Sequence, residues 1–182
     1  MEPPVLATDR MILTALSVDH WPEYAAMWAD PRTTQFIGGK PRSYSESWGK
    51  FSASSGMWAL LGYGYWAFTD RQGGALLGVG GLAQWHRGIP ELEGFPEAGW
   101  GFAPDAWGKG YATEAIMAVL AWSDTALKAP EVRCIIDPGN TVSRRVAEKL
   151  GFVQFGSCDE PIGPTDLFAR KRPRIIGDKL VD

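Results

Sequence analysis

Two glycines on either side of a lysine, within Trp107-Gly-Lys-Gly-Tyr111, form the segment of this chain with the clearest potential for chemistry. Gly108 and Gly110 would leave backbone N–H groups uncovered and permit positive φ angles, while Lys109 adds a positive charge. Such a loop binds an anion best where a helix follows, because the first N–H groups of a helix are unpaired and its dipole is positive there. The segment therefore predicts a site for a phosphate or a pyrophosphate.

The elements on either side of this loop would position the site. From Glu97 to Ala103, larger apolar side chains alternate with glycines, which is the period of two typical of a strand, and Pro104-Asp105 ends the pattern. From Tyr111, apolar residues recur at a spacing of three to four, as on one face of a helix: Ala112, Ala115, Ile116, Val119 and Leu120. The sequence predicts a strand, a glycine loop and a helix that runs from Tyr111 to Trp122.

Two nucleotide-binding motifs do not fit the chain. A Walker loop requires Ser or Thr after its Gly-Lys pair to reach magnesium, and Gly110 follows Gly108-Lys109 instead. A relaxed dinucleotide fingerprint is present as Gly78-x-Gly80-x-x-Ala83, but Gln-Trp-His-Arg-Gly follows it where that motif requires a helix. We interpret the second match as chance within a glycine-rich hairpin.

The loop resembles the acetyl-CoA pyrophosphate loop of the GNAT N-acetyltransferases. The pattern of that family is Gln/Arg-x-x-Gly-x-Gly/Ala, and Gly110 and Ala112 occupy its last two fixed places. Trp107 stands where Gln or Arg is usual, a departure that resembles the subgroup acetylating ribosomal-protein N-termini, the RimJ/RimL type. The resemblance implies that acetyl-CoA is bound through residues 107–112, including Lys109 and Tyr111.

A second patch agrees with the first. Asn140-Thr-Val-Ser143 begins a segment that ends in Glu-Lys-Leu-Gly-Phe152, which is similar to the Asn-x-x-Ser helix of the same subgroup. Two patches at the spacing of the family are more specific than either alone, and strand-like matches extend the resemblance from about Leu6 to Arg172. It implies that Asn140 and Ser143 approach the sulfur and the pantetheine arm of the cofactor.

The fold implied by the resemblance is α/β (α+β). It has a mixed central sheet of six to seven strands, a helical pair after the first strand, a βαβ crossover carrying the pyrophosphate loop, and a splayed strand pair forming the acyl-CoA cleft. The periodicities agree, because they predict strands near 10–16, 65–69, 75–83, 97–103, 132–137, 152–155 and 167–171, and helices near 19–28, 44–58, 111–127 and 140–151. We expect one domain over residues 1–173 and a loose C-terminal tail over 174–182.

Composition narrows the function further. With 45% hydrophobic and 21% charged residues among 182, and no run long enough to span a membrane, we expect a soluble cytoplasmic protein. A net charge of -3 argues against nucleic-acid binding through bulk positive charge and suits a cationic acceptor such as an amine. Cys134 and Cys158 form no CxxC pair, and only His20 and His86 are available, so we expect no metal site. Cys134 is expected to pack as a small hydrophobe in a strand.

Acetyl transfer from a thioester to an amine requires a base, because an alkyl ammonium group has a pKa of about 10.4 and must lose a proton before it attacks. It requires neither a metal nor a covalent intermediate. GNAT enzymes often place a carboxylate at the start of the strand before the loop, so the resemblance favours Glu97 as the base. Glu114 and a water molecule remain alternatives, although Glu114, in the first turn of its helix, could instead interact with the helix dipole.

The remaining catalytic groups also come from the resemblance. Backbone groups of Phe102 and Ala103 would meet the oxyanion and the pantetheine amides, since donors fixed in advance stabilise developing charge. Ala147 occupies the position at which many GNAT enzymes have a tyrosine acid. Ser143 is left either as the acid or as a simple hydrogen-bond donor.

Two classes of function follow. The first is an acetyl-CoA-dependent N-acetyltransferase acting on a primary amine, either a protein N-terminus or a small molecule, and the second is a non-catalytic acyl-CoA-binding module. The sequence favours the enzyme and leaves the acceptor and a homodimer open. Five tryptophans outside the cofactor patches either pack the core or line an acceptor pocket, where their faces would hold an ammonium group: Trp28, Trp48, Trp58, Trp66 and Trp85.

Overall fold

A mixed sheet of eight strands lies at the centre of the residues that the structure, a computed structural model, describes, namely 2–159, 161–176 and 179–181. Its strands are β1 (Leu6–Ala7), β2 (Met11–Ala15), β3 (Tyr65–Asp70), β4 (Leu76–Ala83), β5 (Glu97–Phe102), β6 (Glu131–Ile136), β7 (Val153–Cys158) and β8 (Thr165–Lys171). The order in the sheet is β1-β2-β3-β4-β5-β6-β8-β7, and all neighbours are antiparallel except β5 and β6. The predicted mixed sheet is confirmed, with eight strands rather than six or seven.

The additional strand arises near the N-terminus, where the sequence predicts only one. The backbone N–H of Thr8 donates to the carbonyl of Met11 at 2.9 Å, and the Thr8 hydroxyl bonds to both backbone groups of Met11. This turn brings Leu6 opposite Leu13, so the chain forms a short hairpin instead of a single edge strand.

Five α-helices within the described residues connect and cover the strands: α1 (Trp21–Ala29), α2 (Pro31–Thr34), α3 (Tyr44–Leu61), α4 (Tyr111–Trp122) and α5 (Thr141–Lys149). A π-helical turn over Ser123–Leu127 continues α4. A capping box begins α3, since the Glu46 N–H donates to the Ser43 hydroxyl at 3.2 Å and the Ser43 N–H donates to the Glu46 carboxylate at 2.8 Å. No helix among the described residues is both long and apolar enough to cross a membrane.

The two faces of the sheet carry separate cores. On one face, α4 and Ala147 of α5 pack with Phe68, Phe102 and Phe168. On the other, which we call the α1–α3 face, the buried residues of the two helices pack with β3 and β4: Tyr24, Met27, Trp28 and Phe51 with Ala67, Leu76 and Val79. Because side chains alternate along a strand, β5 sends Ala98, Trp100 and Phe102 to the α4 face, whereas Gly99 and Gly101 face the α1–α3 side.

The parallel strands β5 and β6 pair only at their beginning. Glu97 lies opposite Arg133, and the Arg133 N–H donates to the Pro96 carbonyl at 3.0 Å. Beyond this pair, the two strands share no further register partners, although both continue for several residues. They therefore diverge towards their C-terminal ends, which confirms the predicted splayed pair and opens a cleft at that edge of the sheet.

The segment predicted as a loose tail contains two further strands. They are β9 (Arg174–Ile176) and β10 (Lys179–Val181), which pair with each other in an antiparallel ladder separate from the main sheet. The rest of that segment, residues 177, 178 and 182, lies outside the described residues. The division into one domain and a tail stays a prediction.

Candidate functional site

The cleft between β5 and β6 is lined on one side by the backbone of β5. The N–H of Ala103 donates to the Leu77 carbonyl of β4 at 2.9 Å, and the Ala103 carbonyl accepts from the Ala106 N–H at 2.9 Å. The expectation that Ala103 offers its N–H to a cofactor is therefore corrected, because both of its backbone groups are already paired. Phe102, one residue earlier, points its backbone groups away from β4 and towards the cleft.

The glycine loop that follows β5 has the geometry expected of an anion cradle. Gly108 and Gly110 have φ angles of 72° and 81°, which favour glycine strongly. Gly110 is the N-cap of α4 and caps it with no side chain, and the Glu114 N–H makes the first helical bond, to the Gly110 carbonyl. The preceding N–H groups of Tyr111 and Ala112 have no intrahelical partner. A side-chain carbon at Gly108 would meet no atom within 4 Å, so the cradle is open there.

Trp107 turns back from this cradle. Its indole N–H donates to the Phe102 carbonyl at 2.8 Å, and the residue is 46% exposed. The indole thus fixes the loop against the end of β5, in the position where Gln or Arg would be usual in the family the loop resembles. Lys109 is exposed beside it, and its position leaves the ammonium group free to approach an anion.

Arg10, directly before β2, is a residue of this site that the sequence analysis missed. Its guanidinium donates to the Lys109 carbonyl at 2.8 Å and forms an ion pair with Glu114 at 2.6 Å. It also lies over the Tyr111 ring, 4.3 Å from the ring centroid. Arg10 therefore ties the loop to the sheet and places a second positive charge at the cradle. Nothing in its local sequence indicates this role, since it lies 99 residues from Lys109.

Glu114 is engaged by the same arginine. The backbone N–H and the guanidinium of Arg10 donate to its two carboxylate oxygens at 3.0 and 2.7 Å. Burial raises the pKa of Glu114, but hydrogen bonds from Thr8 and Arg10 and the charge of Arg10 outweigh it and lower the pKa below its usual value. These contacts give Glu114 a structural role at the first turn of α4.

The start of α5 lies at the same edge of the sheet as the loop, because it follows the C-terminal end of β6 just as the loop follows β5. Asn140 is its N-cap, and the side-chain carbonyl of Asn140 accepts from the Ser143 N–H at 3.0 Å. The amide NH₂ of Asn140 is not used by this cap. The Ser143 hydroxyl is partly buried and has no hydrogen-bond partner among the described residues. Loop and helix start thus offer several donors to one cleft.

Glu97 lies at the opposite end of β5, where β5 and β6 still pair. Its carboxylate is buried, with 5% of the residue exposed, and receives three hydrogen bonds of 2.8 to 3.1 Å from the Arg87 guanidinium. Burial lowers the pKa of Arg87, but the hydrogen bond and charge of Glu97 outweigh it and raise that pKa. The sequence analysis did not predict this ion pair, in which the Glu97 side chain is buried and that of Arg87 is partly exposed.

A tyrosine and a tryptophan complete the surface of the α1–α3 face beside Glu97. The hydroxyl of Tyr65 lies over Gly99, where any side-chain carbon would collide with it, and the edge of the Trp28 ring would lie 2.8 Å from a side-chain carbon at Gly101. Burial, and then the charge of Glu97, raises the pKa of Tyr65. The two glycines of β5 therefore make room for aromatic groups from β3 and α1.

The tryptophans divide between the two expected roles. Trp58 and Trp66 are buried on the α4 face and pack edge to face at 4.5 Å, with Trp122 beside them. Trp28 packs on the α1–α3 face, and Trp85 contacts Tyr65 edge on at 5.9 Å. Trp48 is 46% exposed and stacks on Phe51.

Cys134 has the packing role expected for it. It is 1% exposed within β6, and burial raises the pKa of its thiol. Among the residues that the structure describes, no group of three His, Cys, Asp or Glu side chains is arranged to hold a metal ion.

Comparisons with known proteins agree with this geometry. Residues 10–153 match the family model described as acetyltransferase (GNAT) domain. An uncharacterized Bacillus subtilis protein, YkkB, is 31% identical over 153 residues, which cover 80% of this chain and 83% of YkkB. A protein from Bordetella pertussis described as a GnaT-family acetyltransferase superposes with a TM-score of 0.81 at 30% identity, over 92% of this chain and 99% of that one.

Two more distant structures share the fold alone. RimL, an acetyltransferase of ribosomal L7/L12 solved with coenzyme A, has a TM-score of 0.76 at 13% identity over 92% of this chain and 98% of its own. The spermidine N-acetyltransferase of Vibrio cholerae, solved with CoA and spermine, has a TM-score of 0.72 at 18% identity over 89% and 95% of the two chains. At these identities, neither protein assigns an acceptor.

Proposed function

We propose a function that proceeds from one established premise, that this chain belongs to the GNAT acetyltransferase family and is an acetyltransferase enzyme. The proposed reaction moves the acetyl group of acetyl-CoA to a primary amine by direct attack of the amine on the thioester. Family membership favours this reaction over the non-catalytic acyl-CoA-binding module that the sequence alone leaves open.

The observation that carries the proposal is the open cradle at Gly108 to Ala112. Two glycines with positive φ, the free N–H groups at the start of α4 and the charges of Lys109 and Arg10 converge at the mouth of a cleft between diverging strands. A pyrophosphate at this point would direct the pantetheine arm along the cleft, past the backbone N–H of Phe102 and towards the end of β5 at which Glu97 lies. Asn140 and Ser143 would contact the arm from the start of α5.

Glu97 is our candidate for the base. A strand of six residues spans roughly 17 to 20 Å, so Glu97 lies one strand length from the cradle, on the α1–α3 side. Its carboxylate already accepts hydrogen bonds from Arg87, but a carboxylate offers about four acceptor positions, and Arg87 does not occupy all of them. The proton of the amine would pass to Glu97 directly or through a water molecule.

The acid that protonates the leaving thiolate has two candidates. Ser143 has an uncommitted hydroxyl near the cleft, whereas the Tyr65 phenol, with its raised pKa, stays protonated at neutral pH and lies over β5. Replacing Ser143 with Ala tests the first candidate. An unchanged kcat would remove Ser143 from the mechanism and leave it a hydrogen-bonding role.

The finer acceptor assignments are part of the same proposal. A protein N-terminus, as implied by the RimJ/RimL resemblance, and a small-molecule amine both fit a base at Glu97 beside aromatic groups. The cytoplasmic location and a homodimer stay predictions.

Calorimetry with acetyl-CoA, followed by a thioester-consumption assay with a panel of amines, tests the proposal. We expect saturable binding of acetyl-CoA and release of free CoA that depends on an added amine. Absence of acetyl-CoA binding would contradict the cradle. Binding without turnover on small amines or on peptide N-termini would contradict the proposed reaction.

A further inference from the structure

The α1–α3 face carries more positive than negative charge around Glu97. Three cationic side chains, Arg42, Lys50 and Arg87, share this surface with the carboxylate of Glu97, which is the partner of Arg87. Two further carboxylates lie at its margins and have partners of their own, Glu46 with Lys40 and Glu93 with His86. Arg42 and Lys50 have no carboxylate within 4 Å among the described residues. The surplus is local, because the whole chain has a net charge of -3.

Arg42 is held in place by aromatic packing. Its guanidinium lies 3.8 Å from the centroid of the Trp28 ring, and its backbone N–H donates to the Trp28 carbonyl at 3.0 Å. Trp28 in turn packs its ring edge against Gly101 of β5. Stacking fixes the guanidinium plane, and the Tyr24 hydroxyl lies beside it. The remaining N–H donors of Arg42 are therefore prepared to bind a planar or tetrahedral oxyanion.

Lys50 is held in a similar way from the other side. Its ammonium group lies 4.4 Å from the centroid of the Trp85 ring, and Trp85 contacts Tyr65, whose hydroxyl lies over Gly99. Desolvation, followed by the charges of Arg87 and Arg42, lowers the pKa of Lys50, while Glu97 opposes them. The four charged groups are therefore within electrostatic range of one another.

A neutral donor on this face also lacks a partner. Trp28 is 5% exposed, and its indole N–H, which is near the Tyr24 hydroxyl, makes no hydrogen bond of acceptable geometry within the described part of the chain. A buried donor without an acceptor costs stability unless a ligand or water satisfies it. An oxygen-rich group bound beside Arg42 would supply that acceptor.

We propose that the acceptor of this enzyme is a small primary amine that also carries an oxyanion, either a carboxylate or a phosphate, and that Arg42 and Lys50 bind this oxyanion while the amine faces Glu97. The inference rests on the proposed acetyl transfer and specifies its substrate class. Two cations without a carboxylate within 4 Å, Arg42 and Lys50, would disfavour a second ammonium group beside them, whereas they would bind an anionic group. The acceptor positions of Glu97 that Arg87 leaves free would then face the amine.

Matched pairs of amines test this assignment. Propylamine and β-alanine differ by a carboxylate, and ethanolamine and phosphoethanolamine differ by a phosphate, so the two pairs also distinguish the two sources of the oxyanion. We expect kcat/KM to be roughly 10- to 100-fold higher for the anionic member of at least one pair, because the neutral member cannot accept charge-assisted hydrogen bonds from Arg42 and Lys50. Equal or better turnover of the neutral members, of spermidine or of a peptide without an acidic side chain would overturn the inference and leave the acetyl transfer intact.

Substitution of Arg42 and Lys50 distinguishes a loss of anion binding from a loss of folding. In R42Q/K50Q we expect the KM of the anionic amine to rise by roughly 10-fold or more while kcat and acetyl-CoA binding stay near those of the wild type. Lys171→Gln, at the exposed end of β8, is the control for loss of a lysine and should change neither. An unchanged KM in the double variant would overturn the role of Arg42 and Lys50.

A binding measurement decides the question independently of turnover. The CoA-saturated wild type should gain thermal stability from β-alanine or phosphoethanolamine and none from their neutral partners, and R42Q/K50Q should lose this gain. If the enzyme turns over no amine but shows this difference in thermal stabilisation, the result contradicts the proposed acetyl transfer and supports the anion site. Equal stabilisation of wild type and double variant refutes the anion site.

Discussion

The two ends of β5 are built in different ways. At the C-terminal end, the cradle for an anion comes from one continuous segment, Gly108 to Ala112, and its groups are backbone N–H donors. At the N-terminal end, the surface around Glu97 comes from side chains of separate segments: Trp28, Arg42, Lys50, Tyr65, Trp85 and Arg87. The first end therefore suits a group common to many substrates, and the second suits a particular acceptor.

The two glutamates considered as bases show the same difference. Both are paired with arginine, Glu114 with Arg10 and Glu97 with Arg87. Glu114 lies at the cradle in the first turn of α4, where its ion pair fixes the loop. Glu97 is more deeply buried and faces the acceptor side, where a carboxylate can also receive a proton. Substitutions at the two ends should consequently affect different steps.

The largest effect is expected from Glu97→Gln. If Glu97 is the base, kcat should fall roughly 10²- to 10⁴-fold, while the affinity for acetyl-CoA changes little. Some loss of stability is also expected, about 1–3 kcal/mol, because Arg87 loses a charged partner in a partly buried site.

Glu93→Gln is the matched control for this substitution. Glu93 is a nearby carboxylate that also pairs with a basic side chain, His86 at 3.2 Å, but both side chains are exposed. We expect its kcat to be that of the wild type. A Glu97→Gln enzyme that is less stable yet retains full kcat would assign Glu97 a structural role and leave a water molecule as the base.

The same contrast explains how much the sequence could predict. The cradle was predictable because its glycines, its strand and its helix are contiguous, and their periodicities are local properties. Arg10 was missed although it contacts this loop, because its partner lies 99 residues away and an arginine at a strand start is common. Ala103 was assigned an open N–H because sequence alone does not indicate which backbone groups of a strand face β4.

The acceptor surface was largely outside the reach of the sequence. In the sequence, Tyr65 is only the first residue of a predicted strand, and nothing marks Arg87. The register of β3, β4 and β5 places Tyr65 over Gly99, and hydrogen bonds place Arg87 against Glu97. The net charge of -3 predicts a cationic acceptor, but a sum over the whole chain does not show where the individual charges lie. The fold was easier to predict, as alternating patterns and caps determine the elements and the family resemblance determines their order.

The packing of Tyr65 over Gly99 gives the second prediction. In Gly99→Ala, the new methyl group would collide with the Tyr65 hydroxyl, so we expect a loss of about 1–3 kcal/mol of stability and up to roughly 10²-fold in kcat/KM for the acceptor. Acetyl-CoA affinity, measured by calorimetry, should remain.

The double variant Y65F/G99A sharpens this test. Removing the hydroxyl leaves the ring carbon as the nearest atom, 3.2 Å from the added methyl carbon, which requires only a small adjustment. We expect most of the lost stability to return. If activity returns as well, the Tyr65 hydroxyl is not the acid, whereas recovered stability without activity would support an acid role.

A third prediction concerns the cradle itself. In Gly108→Ala the φ angle of 72° becomes unfavourable by roughly 1–2 kcal/mol, and the loop should shift. We expect acetyl-CoA binding to weaken about tenfold, with the KM of the amine unchanged. Gly56→Ala is the matched control, because Gly56 lies within α3, has space for a methyl group, and should gain roughly 0.5–1 kcal/mol of stability. Equal acetyl-CoA affinity in the two variants would contradict the cradle.

The smallest effect on catalysis is expected from Glu114→Gln. Because its contacts lower the pKa of Glu114 in the folded state, the carboxylate contributes stability that is fully present above its unfolded pKa and is lost as the pH falls through the folded value. We therefore expect the variant to be less stable than the wild type by about 1–2 kcal/mol at pH 7, and the difference in unfolding free energy to shrink as the pH falls below 4.5. Its kcat should stay within a factor of roughly three of the wild type, since hydrogen bonding to the amide can still hold Arg10 near Lys109. A fall in kcat comparable to that of Glu97→Gln, at unchanged acetyl-CoA affinity, would instead make Glu114 the base and move the chemistry to the cradle end of β5.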